Sequence, residues 1–183
     1  MRVLLTRRAL IPIPVFASTF FPTQPMNYIG LNTCDTANGP GVRVSLFCSG
    51  CRLHCKGCFN EESWNFCAGK PFTEETVAQV LDALSEPFVR GLSLLGGDPL
   101  EPENEPTLLA LVNAVRERFG ETKDIWMWTG RVYKNVADSP LVKAVDVLVD
   151  GPFVEKLLTT TPGEFRGSTN QKIIPIRPNA KLT

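Results

Sequence analysis

Apolar residues along this chain follow two rhythms. Short unbroken runs read as buried strands: Val42 to Cys48, Gly91 to Leu95, Ile125 to Trp128, Val145 to Val149 and Ile173 to Ile176. Between them, apolar residues recur at helical spacing. Val77, Val80, Leu81, Leu84 and Phe88 form one stripe, with Thr73 placed as its cap and Glu74 and Glu75 favourable in its first turn. Leu108, Leu111, Val112, Val115 and Phe119 form a second, with Pro106 at its start. Strands alternating with helices predict an α/β fold on a mostly parallel sheet. Ligands of such sheets gather where the strands end.

Chemistry-bearing residues fall at those ends. Directly after the first strand comes Gly50-Cys51-Arg52-Leu53-His54-Cys55-Lys56-Gly57-Cys58-Phe59-Asn60, a C-x3-C-x2-C spacing with an aromatic residue after the last cysteine. Three thiolates on one short loop can hold three corners of a [4Fe–4S] cluster, whereas clusters that only carry electrons are normally closed by a fourth cysteine. An open corner leaves one iron for substrate, as a catalytic zinc keeps one position free. A zinc site built from Cys51, His54, Cys55 and Cys58 is the rival reading, but structural zinc sites pair two separated knuckles and no second one occurs. Six cysteines would also allow disulfides, yet a chain of 183 residues with 43% apolar content can bury a core without them.

The second strand closes on Gly96-Gly97-Asp98-Pro99. Two glycines there present bare backbone amides and carbonyls to whatever sits at the strand tip, and Asp98 can hold that geometry. A plain tight turn before a helix would use the same residues. Thr129-Gly130 and Asp150-Gly151 also follow strands, so four motifs are expected on one face of the sheet.

With these segments in this order, the chain resembles the radical S-adenosylmethionine superfamily. Within it, the chain resembles the small activases of glycyl radical enzymes that serve anaerobic ribonucleoside-triphosphate reductase. The resemblance runs from about Met26 to Arg177. It rests on Asn38-Gly39-Pro40-Gly41-Val42-Arg43, the cysteine loop, Gly91 to Leu100, Asp124 to Gly130, Val147 to Gly151, and Arg166-Gly167-Ser168-Thr169-Asn170-Gln171. It implies a partial (β/α)6 TIM-like barrel, open on one side, over residues 26–183. It implies one [4Fe–4S] cluster on Cys51, Cys55 and Cys58, and S-adenosylmethionine held near Gly57, Cys58, Phe59, Gly96, Gly97, Asp98 and Asp150. The implied reaction is reductive cleavage of that cofactor to a 5′-deoxyadenosyl radical. This radical takes a hydrogen atom from a glycine of the large reductase subunit. A flavodoxin-type one-electron reductant and a cytoplasmic setting go with it. The same resemblance leaves two other enzyme readings: activation of a pyruvate formate-lyase type enzyme, or radical chemistry on a small molecule. A zinc-binding adaptor is the non-enzyme reading.

Composition narrows the field further. Nineteen basic and nineteen acidic residues give a formal charge of zero, so no electrostatic footprint for nucleic acid is expected. Nor is a membrane span expected. A full eightfold β/α barrel takes about 250 residues, and the roughly 155 after Met26 fit about six units. Residues 1–25 differ from the rest, with Arg2, Arg7, Arg8, four prolines and no acid. Pro12 and Pro14 interrupt their apolar run, so an extension, disordered or from a mis-assigned start, is expected rather than a targeting segment. Cys48 reads as a small buried hydrophobe, His54 as loop surface, and one of Trp126 and Trp128 as core. Asp150 is read as either a nucleoside contact or a turn cap, and Arg166 to Gln171 as either a contact loop or a structural turn.

Overall fold

The computed structural model describes residues 26–178, 180 and 182; the expectation for residues 1–25 lies outside them. Seven strands form one open sheet in the order β3-β1-β2-β4-β5-β6-β7. They are β1 (Asn27–Asp35), β2 (Val42–Cys48), β3 (Lys70–Pro71), β4 (Val89–Gly96), β5 (Asp124–Trp128), β6 (Val147–Asp150) and β7 (Lys172–Pro175). The middle four, β2, β4, β5 and β6, are parallel. β1, β3 and β7 are antiparallel additions at the two edges.

Helices α1 (Glu74–Leu84), α2 (Glu105–Phe119), α3 (Tyr133–Val136) and α4 (Pro140–Ala144) make the crossovers between parallel strands. Thr73 and Thr76 form a reciprocal cap at the start of α1, and Pro106 sits in the first turn of α2. α1 stops at Leu84 because Pro87 cannot continue a helix, so Phe88 leaves the stripe and is 61% exposed.

Strand parity divides the core. On β5, Ile125 and Met127 join the large cluster with Leu81, Leu84, Leu108 and Leu111 of the helices. Trp126 and Trp128 point the other way, with Val147, Val149, Phe165 and Ile173. That second face also holds Arg43, which is fully buried.

One expectation needs correction. Length suggested about six β/α units, whereas four parallel strands joined by three helical crossovers are present. The sheet is not closed, and its remaining strands pair antiparallel. Chain that a further crossover would need is instead spent on β1 and on the long connection between β6 and β7. Among the described residues no helix is long and apolar enough to cross a membrane.

Candidate cluster and cofactor site

β2 delivers the chain to Ser49 and Gly50, and backbone bonds stitch this exit to the tip of β4. Gly97 N donates to Cys48 O at 2.7 Å and Asp98 N to Gly50 O at 2.9 Å. The buried Asn104 side chain donates to Ser49 O at 2.9 Å and to Asp98 O at 3.0 Å. Glycine is required where these segments meet. A Cβ on Gly97 would lie 2.4 Å from Gly50 O, and Gly96 has φ +105° with a Cβ position 2.6 Å from Cys48 O. The cysteine loop and the Gly-Gly-Asp-Pro turn therefore form one fused rim.

Behind that rim lies a cavity of about 760 Å³. Cys51, Cys55 and Cys58 line it together with Gly96, Gly97 and Asp98. Phe47, Leu95 and Trp128 close it from the strands. Phe59, 68% exposed, packs on Phe153 at 4.9 Å between ring centres. All three cysteines are free thiols and half-buried. Burial pushes the Cys51 thiol above its ordinary value, and the nearby carboxylates of Asp98 and Glu101 add to the rise. A metal centre reverses that balance, because a coordinated thiol is held deprotonated.

Among the described residues, no three His, Cys, Asp or Glu side chains converge closely enough to hold a single metal ion. Zinc needs every sulfur donor about 2.3 Å from one point, whereas a cubane takes one thiolate at each of three separate corners. His54 is turned away from that role: it is exposed and stacked on Trp64 at 4.4 Å. Three soft thiols around one roomy, mostly apolar cavity are a donor set that a polynuclear iron–sulfur group fits.

Asp98 is 1% exposed and faces protein. Its Oδ1 accepts from Leu100 N at 3.0 Å and from Thr129 Oγ1 at 2.8 Å, and its Oδ2 from Arg131 Nε at 3.0 Å. Burial raises its pKa, with these donors acting in the opposite sense. Its carboxylate thus fixes the turn, leaving the backbone of the turn to meet a ligand. Asp150 and Gly57 are not among the residues lining the cavity. Both Asp150 oxygens accept backbone N–H groups, from Tyr133 at 2.7 Å and Lys172 at 3.3 Å, so it caps the end of β6.

Residues 37–174 match the family model described as a 4Fe-4S single cluster domain. The chain is 43% identical over 148 residues to the anaerobic ribonucleoside-triphosphate reductase-activating protein of Enterobacteria phage T4, covering 81% of this chain and 93% of the phage protein. The protein of that name from Escherichia coli (strain K12) is 42% identical over 158 residues, 83% of this chain and 100% of the relative. That from Vibrio cholerae serotype O1 is 42% identical over 153 residues, 81% of this chain and 97% of the relative.

This chain belongs to the anaerobic ribonucleoside-triphosphate reductase-activating protein family. Against that family's background, the Arg166–Gln171 stretch is a turn closed by its own Gln171 side chain, and it also walls the cavity. Gln171 Oε1 accepts Gly167 N at 2.8 Å and Ser168 N at 3.1 Å, while its Nε2 donates to Gly151 O at 2.9 Å. Arg166, Gly167 and Gln171 all line the cavity, so the turn also forms part of its wall. Sequence reasoning missed Arg52, Glu101, Asn104 and Arg131. No local pattern marks them; each has a partner tens of residues away.

Proposed function

We propose that this chain activates anaerobic ribonucleoside-triphosphate reductase by generating a glycyl radical on the large subunit. In this reading Cys51, Cys55 and Cys58 hold a [4Fe–4S] cluster of the radical S-adenosylmethionine type. Once bound and reduced by a flavodoxin-type donor, that group supplies the electron that cleaves S-adenosylmethionine to methionine and a 5′-deoxyadenosyl radical, the species that takes a hydrogen atom from the reductase glycine. One observation carries the proposal: the three cysteines and the Gly96-Gly97-Asp98 turn line one cavity. Relatives at 42–43% identity bear the activating protein's name.

The residues of this chain divide the work. The backbone carbonyls of Gly96 and Gly97 would accept hydrogen bonds from the cofactor's ammonium group, and Asp98 holds that backbone in place through Leu100, Thr129 and Arg131. Phe59, Phe153, Trp128 and Phe165 exclude water around the reacting atoms. The open sheet is read as a shortened form of the radical S-adenosylmethionine barrel, its free side admitting a loop of another protein. The working unit is residues 26–183, and the setting is a reducing cytoplasm without membrane or nucleic-acid partners.

The test is anaerobic reconstitution with iron and sulfide, reduction by dithionite, then addition of S-adenosylmethionine and the large reductase subunit. A glycyl doublet by electron paramagnetic resonance, with 5′-deoxyadenosine formed, is expected. Deoxyadenosine without the doublet would reject this partner, and zinc with neither signal would reject the radical reading. The Cys55→Ala variant should lose bound iron and all cofactor cleavage; retained iron with normal cleavage would place the cluster elsewhere.

A further inference from the structure

The cysteine loop has few backbone bonds of its own. Gly50 N donates to Ser63 O and Cys51 N to Trp64 O, and further along Cys58 N donates to Cys55 O. Between these points the loop is anchored by a side chain. Glu101, three residues beyond Asp98, is 1% exposed. Its Oε1 accepts the backbone N–H of Arg52 at 2.9 Å, and its Oε2 accepts Arg52 Nη1 at 2.6 Å. Arg131 Nη2 stands 3.2 Å from the same Oε1, while Arg131 Nε is bonded to Asp98. Arg52 Nη1 also donates to Oε2 of the exposed Glu103 at 2.9 Å, and Nη2 to its Oε1 at 2.5 Å. Hydrogen bonding from Arg52 draws the Glu103 carboxyl down to about 2.

We propose that Glu101 is a positioning residue of the cluster site: one buried carboxylate fixes the residue after Cys51 by both backbone and side chain, and ties it through Arg131 to the Asp98 turn. The inference rests on the cluster reading of Cys51, Cys55 and Cys58. A thiolate ligand is only as well placed as the backbone carrying it, and charge-assisted bonds to a buried carboxylate are the strong kind. Glu103 serves as the internal contrast. It bonds both Nη1 and Nη2 of Arg52, but it is an exposed carboxylate that holds the side chain and not the loop backbone, and exposed ion pairs contribute little. Partners of this outer type typically change metal retention by about 10–100-fold when removed.

The experiment follows release of iron from the reconstituted protein to an excess of chelator, under anaerobic conditions, together with thermal melting. Glu101→Gln keeps the shape and one acceptor but removes the charge. It should release iron about tenfold faster or more, at a melting temperature close to that of the parent. Glu103→Gln should stay within about twofold of the parent. Arg52→Ala, which retains the backbone bond and alters an exposed side chain, should fall between the two. Parent-like release by Glu101→Gln would overturn the proposal, as would equal acceleration by Glu103→Gln. Should Glu101→Gln fail to fold, parent-like release by Arg52→Ala overturns it instead. A parent protein that takes up no iron rejects the cluster reading and this inference with it; a parent that holds four irons beside a parent-like Glu101→Gln rejects this inference alone.

Discussion

At the scale of single residues, spacing within a short loop was legible and coupling between distant loops was not. Cys51, Cys55 and Cys58 stand close enough in sequence for their spacing to mark a candidate cluster loop, and the fold brings all three to one cavity. Asp98 shows the other side. Its place after Gly96-Gly97 marks it as part of the site, but only the fold reveals that its carboxylate is consumed by Leu100, Thr129 and Arg131. This buried carboxyl makes a prediction about pH. Its pKa is raised in the folded chain, chiefly by burial. An acid whose folded pKa exceeds its unfolded one stabilises the fold below the unfolded value, and that contribution is lost as pH rises through the folded value. Asp98→Asn removes the dependence. In the cluster-free chain, the urea-unfolding free energy of the parent relative to Asp98→Asn should therefore be highest near pH ~4 and fall toward pH ~7. A relative stability that instead grew with pH would show that the donors outweigh burial.

At the scale of elements, the parallel strands announced themselves as apolar runs and their edge partners did not. β1 reads Asn-Tyr-Ile-Gly-Leu-Asn-Thr-Cys-Asp and is half-exposed over much of its length, so neither an unbroken run nor a clean alternation marks it. β7 was visible as Ile173 and Ile174, but strand direction is decided by pairing with β6, which no local rhythm encodes. The Asn38 to Arg43 segment is a related case. It was read as a family signature, and the fold gives its arginine a structural task. Arg43 lies fully buried on β2, 2.6 Å from Asp124 of β5, and donates to Ser93 Oγ at 2.7 Å and Leu92 O at 2.8 Å on β4. One side chain thus bolts three adjacent strands together beneath Trp126. Removing one partner of a buried ion pair costs about 3–5 kcal/mol, and Asp124 keeps Arg90 at 2.9 Å, so Arg43→Met should cost near the lower figure, about 3 kcal/mol. Denaturant titration would measure it. A loss below about 1 kcal/mol would mean that apolar replacement compensates for the pair, as it can when volume is matched.

At the scale of the molecule, the question is which part of the chain makes the site and its support. Among the described residues, the large core cluster begins at Met26 and the sheet at Asn27. The cluster-domain match spans 37–174, and relatives are covered over 93–100% of their own length by 148–158 residues of alignment. Every residue lining the cavity falls between Thr36 and Gln171. Their convergence needs the whole span, because the rim joins β2 to β4, Thr129 follows β5, and the Arg166–Gln171 turn returns after β6. The open sheet brings these segments together with antiparallel strands at both of its borders. Residues 26–183 should then suffice. A chain starting at Met26 is expected to take up iron and cleave S-adenosylmethionine like the full chain, since every residue lining the cavity and every described core residue lies at or after Met26. Iron content, visible absorbance and deoxyadenosine yield, measured side by side, decide it. Loss of iron in the shorter chain would assign residues 1–25 a part in holding the site, and would contradict the division made here at Met26.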